Sequence, residues 1–416
     1  MHTLFIVRRD PFKSPSGTEI FAGNLALELA KQGHKVELVY ESQSSSGAPI
    51  ESIDGIEAYE LRLIGIPYLR ALHYCHKCVK VCTDLIKNSN IDTVIFFGAG
   101  TLAGYTFKKI KGLAEKPLLV YYAVDSMAAE YERSKPALLK RGVIQRLKAW
   151  IWYKALVRSD KLSCNVAGLV IASCKDTAHR IVEDYGVVPE KVKFVYFGLP
   201  GNYAEGFESH DAEIPTFLHV STVPERKGTL YFLEALKFLQ DKYNLRVRGV
   251  IAGSKETFYV ELAKKLDIDV VFLGRIPNNE LKQYYASSTA LVSPSLSEGF
   301  CLPVVEAAAF GKPSIVTEVG SLPELVSDRE NGFVIPVADV SALSERMYEI
   351  AVDDVLRKHL SEKSKKSSHR FKISTVSREL MKIINDDENI HNVAFSHVTK
   401  PPSNLYLRLV TKWTKK

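Results

Sequence analysis

Apolar and polar positions along this chain switch period again and again. Short runs rich in β-branched and aromatic residues alternate with stretches whose apolar residues recur every three or four positions. The run Thr3–Val7 predicts a first strand, and the pattern from about Glu19 to Gly33 predicts a helix closed by the glycine of "KQGHKV". "VELVY", "TVIFF", "LLVYYAV", "GLVIAS" and "KVKFVYF" predict further strands, with amphipathic stretches between them. This alternation predicts βαβ units and a parallel sheet.

Residues 198–215, "GLPGNYAEGFESHDAEIP", break the pattern. They hold three glycines, two prolines and little apolar periodicity, and predict an interdomain linker. A second alternating block follows, with "TFLHVST", "RVRGVIAG", "VVFLG", "ALVSPS", "PSIVTE" and "GFVIPV" as its strands. The expected fold class is α/β, with two Rossmann-like domains at 1–197 and 216–380 facing a central cleft. Ligands are expected there, at the carboxyl ends of the strands. From about Asp353 the chain reads as helical and basic. The tail at 381–416 is expected to pack back on the first domain or to lie on a surface. No shorter internal repeat is evident.

The chain's 416 residues suit two domains, and 46% hydrophobic residues suffice for two ordinary cores. A net charge of +7 and a pI near 8.8 fit an anionic ligand, a membrane surface or nucleic acid without choosing among them. No recognised nucleic-acid module occurs, so nucleic acid is not an expected partner. No run of about 18 uncharged apolar residues predicts a membrane-spanning helix. The N-terminus places its apolar run before its basic residues, the reverse of a secretory signal, and implies a cytosolic start. Six scattered cysteines fit a reduced compartment. Cys75, Cys78 and Cys82, beside His73 and His76, include a CxxC. Their helical spacing with Leu72 and Val79 reads as a core stripe, and nothing completes four metal ligands.

The candidate chemistry centres on "SLSEGFCLPVVEAAAFGKP". Glu298 and Glu306 have seven residues between them. "ALVSPS" reads as a strand, Glu298 as part of the loop at its carboxyl end, and Pro303 as the first turn of a helix running to Gly311. The amides near Phe300, Cys301 and Leu302 then form a helix N-terminus that could seat a diphosphate. The flanking carboxylates could accept hydrogen bonds from a sugar and a ribose, so the stretch fits a nucleotide sugar. "HVSTVPERKGTLYFLEAL" places Arg226, Lys227 and Gly228 at a strand-to-helix turn, where cations could neutralise a leaving diphosphate. An ordinary helix with two glutamates and a solvated basic loop fit the same residues.

From His219 to Pro336 the sequence resembles the retaining glycosyltransferases of family 4, the glycosyl transferase group 1 family, which have the GT-B fold. "SPSGTEIFAGNLALELAKQGHKV" resembles the glycine loop and first helix of that family. The resemblance implies an acceptor-side first domain and a donor-side second domain. It implies that Glu298 binds donor-sugar hydroxyls and Glu306 the ribose. Gly299, Phe300, Cys301 and Leu302 would meet sugar and phosphates, and Lys227, helped by Arg226, the diphosphate. Gly17 and Thr18 would close the phosphate site from the opposite domain, and Gly274, Arg275 and Ile276 would border the base. Glu298, Lys227 and Asp125 are the implied catalytic residues of a retaining hexosyltransferase that uses neither metal nor cofactor. The family's arginine is absent near Val220–Thr222. Val124-Asp125 stands for its His-Asp, and Phe197-Gly198 for its Asn-Gly.

Two other readings compete. Gly98, Gly100 and Gly104 follow a strand, and Asp125 comes 21 residues later, a dinucleotide-like spacing that suggests an oxidoreductase. A non-catalytic nucleotide-sugar-binding protein would also fit the departures. Separately, residues 133–161 carry nine lysines and arginines with Trp150, Trp152 and Tyr153, and the tail near 402–416 adds Tyr406 and Trp413. Both segments suit a membrane interface, as a lipid-linked acceptor would require, at the cytoplasmic face of a membrane. A packed helix with a solvated basic edge is the plainer alternative.

Overall fold

The computed structural model describes residues 1–12, 16–41, 52–61, 63, 67–98, 103–111, 117–132, 143–210 and 212–386. Gly100, the 133–142 part of the basic segment, and the tail with Tyr406 and Trp413 lie outside them. The first sheet holds β1 (His2–Arg9), β2 (Lys35–Glu41), β3 (Ser52–Ile53), β4 (Ile56–Leu61), β5 (Thr93–Phe97), β6 (Leu118–Ala123), β7 (Leu169–Ala172) and β8 (Val192–Phe194). Their order is β3-β4-β2-β1-β5-β6-β7-β8, parallel apart from the β3–β4 pair. Its helices are α1 (Gly17–Lys31), α2 (Pro67–Asn88), α3 (Ala103–Lys111), α4 (Val143–Val166) and α5 (Lys175–Tyr185).

β1 shows why these strands read as unbroken apolar runs. Leu4 and Ile6 enter one core layer, Phe5 and Val7 the other, and all four are fully buried. A parallel sheet covered by helices on both faces needs apolar side chains at every position. Cys75, Cys78 and Cys82 of α2 are buried in the layer that holds Leu4 and Ile6.

The second sheet holds β9 (Thr216–Ser221), β10 (Arg248–Gly253), β11 (Val270–Gly274), β12 (Ala290–Ser293), β13 (Ser314–Thr317) and β14 (Gly332–Ile335), in the order β11-β10-β9-β12-β13-β14. All pairs are parallel. Its helices are α6 (Pro224–Lys227), α7 (Thr229–Tyr243), α8 (Thr257–Leu266), α9 (Asn278–Ser287), α10 (Leu302–Ala309), α11 (Leu322–Leu325), α12 (Val340–Val352) and α13 (Asp354–Ser367). α14 (Ile373–Asp386) follows. The expected boundary at 380 falls inside α14, and α14 lies on the first domain. Ile373 N donates to Leu199 O at 2.8 Å, and Gln32, the residue that caps the end of α1, donates to Ser377 Oγ at 2.8 Å. Phe371, Val376, Leu380 and Ile384 join the core of Phe21, Leu25 and Leu29. The chain therefore crosses back at about residue 372, and α14 straps the domains together.

Each sheet reverses its strand order at one place, between β1 and β5 and between β9 and β12. Open α/β sheets bind ligands at the carboxyl ends beside such a reversal. The loops that leave these strands carry the site.

Candidate active site

Two helix N-termini meet across the cleft. α1 begins at Gly17 after the β1 loop, and α10 at Leu302 after the β12 loop. A Cβ at Gly17 would lie 3.5 Å from Leu302 Cδ2, and Thr18 flanks Gly98 at the end of β5. Neither Ser16 nor Cys301 caps its helix with its side chain. Both positive dipole ends therefore meet at one place, although in α10 Pro303 has no N–H, Val304 N donates to Cys301 O at 3.1 Å and Cys301 N to Ser321 Oγ at 3.3 Å.

α6 is a single turn after β9, and it brings Arg226 and Lys227 onto the β12–α10 loop. Lys227 Nζ donates to Glu298 Oε1. Arg226 Nη1 lies 3.3 Å from Glu298 Oε2 and donates to Ser297 O at 2.9 Å. Ser295 Oγ donates to Glu298 Oε1 at 2.8 Å. Glu298 is only 2% exposed, and Lys227 7%. Burial raises the proton affinity of Glu298, but the charges of Lys227 and Arg226 outweigh it and hold the carboxyl below its ordinary value. Burial pushes the Cys301 thiol up to about 11. At neutral pH it is uncharged and leaves Glu298 as the anion beside Lys227.

Glu306 sits one turn into α10. Tyr203 OH donates to its Oε1 at 2.8 Å and Tyr285 OH to its Oε2 at 2.7 Å. Burial raises this carboxyl above its ordinary value, although the tyrosine donors and the charge of Lys282 pull it part of the way back. Glu306 opens on a cavity of about 530 Å³ lined by Ile20 and Asn24 of α1, Asn202 and Tyr203 of the linker, and Asn278 and Lys282 of α9.

From the first domain, Asp125 follows β6, and its Oδ1 accepts from Ser126 N at 2.8 Å. Gly299 is required by its closeness to this loop. A Cβ there would stand 2.4 Å from Val124 O and 2.8 Å from Asp125 Cβ. Cys174 Sγ donates to Gly299 O at 3.4 Å. Phe197 stacks on Phe21 at 4.4 Å and meets Phe300 at 5.0 Å between centroids. It ties α1 to the Glu298 loop through apolar contact.

The structure thus gathers Gly17, Thr18, Asp125, Arg226, Lys227 and 298–302 at one cleft, with Glu306 on the next turn of α10. Gly274, Arg275 and Ile276 stand apart from this cluster. Gly274 ends the edge strand β11, and Arg275, which is exposed, and Ile276 follow it toward α9. The sequence reading missed Ser295, Tyr203 and Tyr285. It also missed Glu324, whose carboxylate accepts from Lys175 N at 3.0 Å, Asp176 N at 2.9 Å and Tyr196 OH at 2.9 Å, fastening α11 to the start of α5. The dinucleotide-like glycines have a packing explanation at Gly104. It lets α3 approach α4, and its amide donates to Ser163 Oγ at 2.9 Å.

Two Rossmann-like domains that close on a charged cleft, with a helix N-terminus offered from each side, define the architecture of the GT-B glycosyltransferases. The family Glycosyltransferase Family 4 matches residues 15–200, and Glycosyl transferases group 1 matches residues 206–367. The chain belongs to the group 1 glycosyltransferases of family 4 and is a glycosyltransferase. An uncharacterized glycosyltransferase of Methanocaldococcus jannaschii is 24% identical over 395 residues, covering 90% of this chain and 95% of its own. Sucrose-phosphate synthase from Thermosynechococcus elongatus shares the fold with a TM-score of 0.76 and 17% identity, over 93% of this chain and 99% of that one. Anabaena HepE in complex with UDP-glucose does so at 0.65 and 17% identity, over 93% of this chain and 100% of that one.

Proposed function

We propose that this glycosyltransferase moves a hexose from a nucleoside-diphosphate sugar to a hydroxyl of a glycan or lipid-linked acceptor, with retention of anomeric configuration and without a metal ion. The observation that carries the reading is the buried Glu298, held by Lys227, Arg226 and Ser295 where the two helix N-termini meet. A diphosphate placed there gains backbone donors from the first turn of α1, the Leu302 amide of α10, and two cations. Lys227 and Arg226 each keep N–H donors beyond those given to Glu298. Glu298 binds donor-sugar hydroxyls, and Glu306 accepts from the ribose with the lone pairs its tyrosines leave over. The Gly274–Ile276 turn borders the base.

In the transfer the acceptor oxygen bonds to the anomeric carbon as the bond from that carbon to the phosphate oxygen breaks. The acceptor proton passes to the departing diphosphate on the same face. Lys227, Arg226 and the helix dipoles stabilise the negative charge that develops there. Asp125 lies on the acceptor side, where it orients the incoming hydroxyl. UDP-glucose is the first donor to test, because a structural neighbour holds it. The experiment is incubation of the metal-stripped protein with labelled UDP-sugars or GDP-sugars and a lipid or glycan extract. The anomeric configuration of the product is then read by NMR. An inverted product refutes the mechanism, and transfer only after a divalent cation is added refutes metal independence.

A further inference from the structure

The helix that frames the acceptor side has two faces of opposite character. On the inner face of α4, Asp160 is fully buried and accepts from Tyr121 OH at 2.7 Å, Tyr185 OH at 2.5 Å and Met127 N at 3.1 Å. Ser163 on the same face accepts from Gly104 N. These bonds fix the rotation of α4 about its axis, so its outer face cannot turn inward. That face carries Leu147, Trp150, Ile151, Lys154, Arg158 and Lys161, spaced as successive turns of one helix side. Leu147 is 56% exposed, Trp150 43% and Ile151 55%. Among the described residues no other helix carries three exposed large apolar side chains on one face; Val188 and Phe258 lie far apart in the chain, and Val352 and Val355 form a pair. Lys154 Nζ lies 4.1 Å from the Trp150 ring centroid. Arg146, Lys154, Arg158 and Lys161 are exposed, and the one carboxylate of the helix is the buried Asp160.

We propose that the outer face of α4 docks this glycosyltransferase on an anionic lipid surface, with Leu147, Trp150 and Ile151 entering the headgroup layer and the cations lying over acidic headgroups. An apolar cluster with a tryptophan beside a basic row, and no exposed acid on the helix, complements such a surface in both shape and charge. A second copy of the same face would instead set like charges against each other across a symmetric contact. The inner face of α4 holds Met127 and Tyr185, which support the loop carrying Asp125. The inference rests on the proposed function only for the identity of the acceptor, which it narrows to the lipid-linked class.

The test is co-sedimentation of the full chain with phosphatidylglycerol vesicles and with phosphatidylcholine vesicles, in wild type and in the L147E/I151E variant. Nucleoside-diphosphate binding by thermal shift is measured on both proteins. The proposal expects wild type to favour phosphatidylglycerol, to release with salt, and to lose at least about tenfold in partitioning in the variant. The variant should keep its thermal stability and nucleotide response, since both residues are exposed on the face of α4 opposite Asp160. Equal partitioning into both lipids, or binding retained in the variant, overturns it. So does a concentration-dependent dimer that the variant abolishes without any lipid binding. Loss of nucleotide response in wild type would count against the proposed function and leave the docking result to stand by itself.

Discussion

Glu298 is costly to bury and is held by what surrounds it. Removing it would strand the buried Lys227 and leave the half-buried Arg226 without its carboxylate, so the informative substitution keeps its shape. Glu298→Gln should lower transfer by at least about a hundredfold, while binding of the free nucleoside diphosphate changes little. Kinetics and calorimetry on the same preparation check this. Its pH signature has a defined sign. The folded carboxyl lies below the ordinary 4.5, so its contribution to stability is present above that value and is lost as pH falls through the lower folded one. The difference in melting temperature between wild type and Glu298→Gln should shrink on acidification across that window. Glu306 behaves in the opposite way. Its carboxyl is raised by burial, so its ionised form costs stability at neutral pH and takes up a proton earlier as pH falls. Glu306→Gln should weaken nucleotide binding by about 1.5–3 kcal/mol. Wild-type affinity should fall on acidification more steeply than that of Glu306→Gln, and titration calorimetry across pH reads both slopes.

At the scale of elements, α10 was legible because its signals are local. A strand, a loop glutamate, a proline in the first turn and a second glutamate one turn on lie within one short stretch. The partners of that second glutamate were not legible. Tyr203 and Tyr285 are 103 and 21 residues from Glu306 in sequence, and only the fold brings them to it. The β3–β4 hairpin was missed although its signal is present. Asp54-Gly55 has positive φ at both residues, 49° and 83°, as a two-residue hairpin turn requires, but Glu57 and Glu60 dilute the apolar alternation. Gly299 tests the fit between elements. Gly299→Ala should push the Glu298 loop off the Asp125 loop, cutting transfer sharply while melting changes by only about 1–3 kcal/mol. An unchanged turnover would show that the contact is not needed in the working state.

For the whole molecule, closure depends on a few cross-domain contacts. Glu324 accepts two backbone amides and Tyr196, and α14 returns to α1. Replacing Glu324 with alanine removes the acceptor of three donors that water can partly reach, a cost of about 0.5–1.5 kcal/mol. The variant should sample more open forms, seen as a larger radius of gyration in X-ray scattering and a raised KM for donor. An unchanged radius would place closure elsewhere. The two-domain α/β plan was readable because a parallel sheet writes itself as apolar runs. A return of the tail to the first domain was one of the two readings of its sequence, but that the return begins at Ile373, inside the expected second domain, was not legible, since the amphipathic pattern of α14 suits a helix on either domain. The central claim is that the cleft between these domains holds a nucleoside-diphosphate sugar, with its sugar on Glu298, its diphosphate on Lys227 and its ribose on Glu306. The most direct test is a thermal-shift series with UDP, GDP, ADP, their sugar conjugates and NAD. A ligand at 100 times its dissociation constant should stabilise the protein by about 2.7 kcal/mol. The account predicts such a shift with one nucleoside diphosphate, reduced in Glu306→Gln. A folded protein that responds to NAD alone, or to none of them, would contradict it.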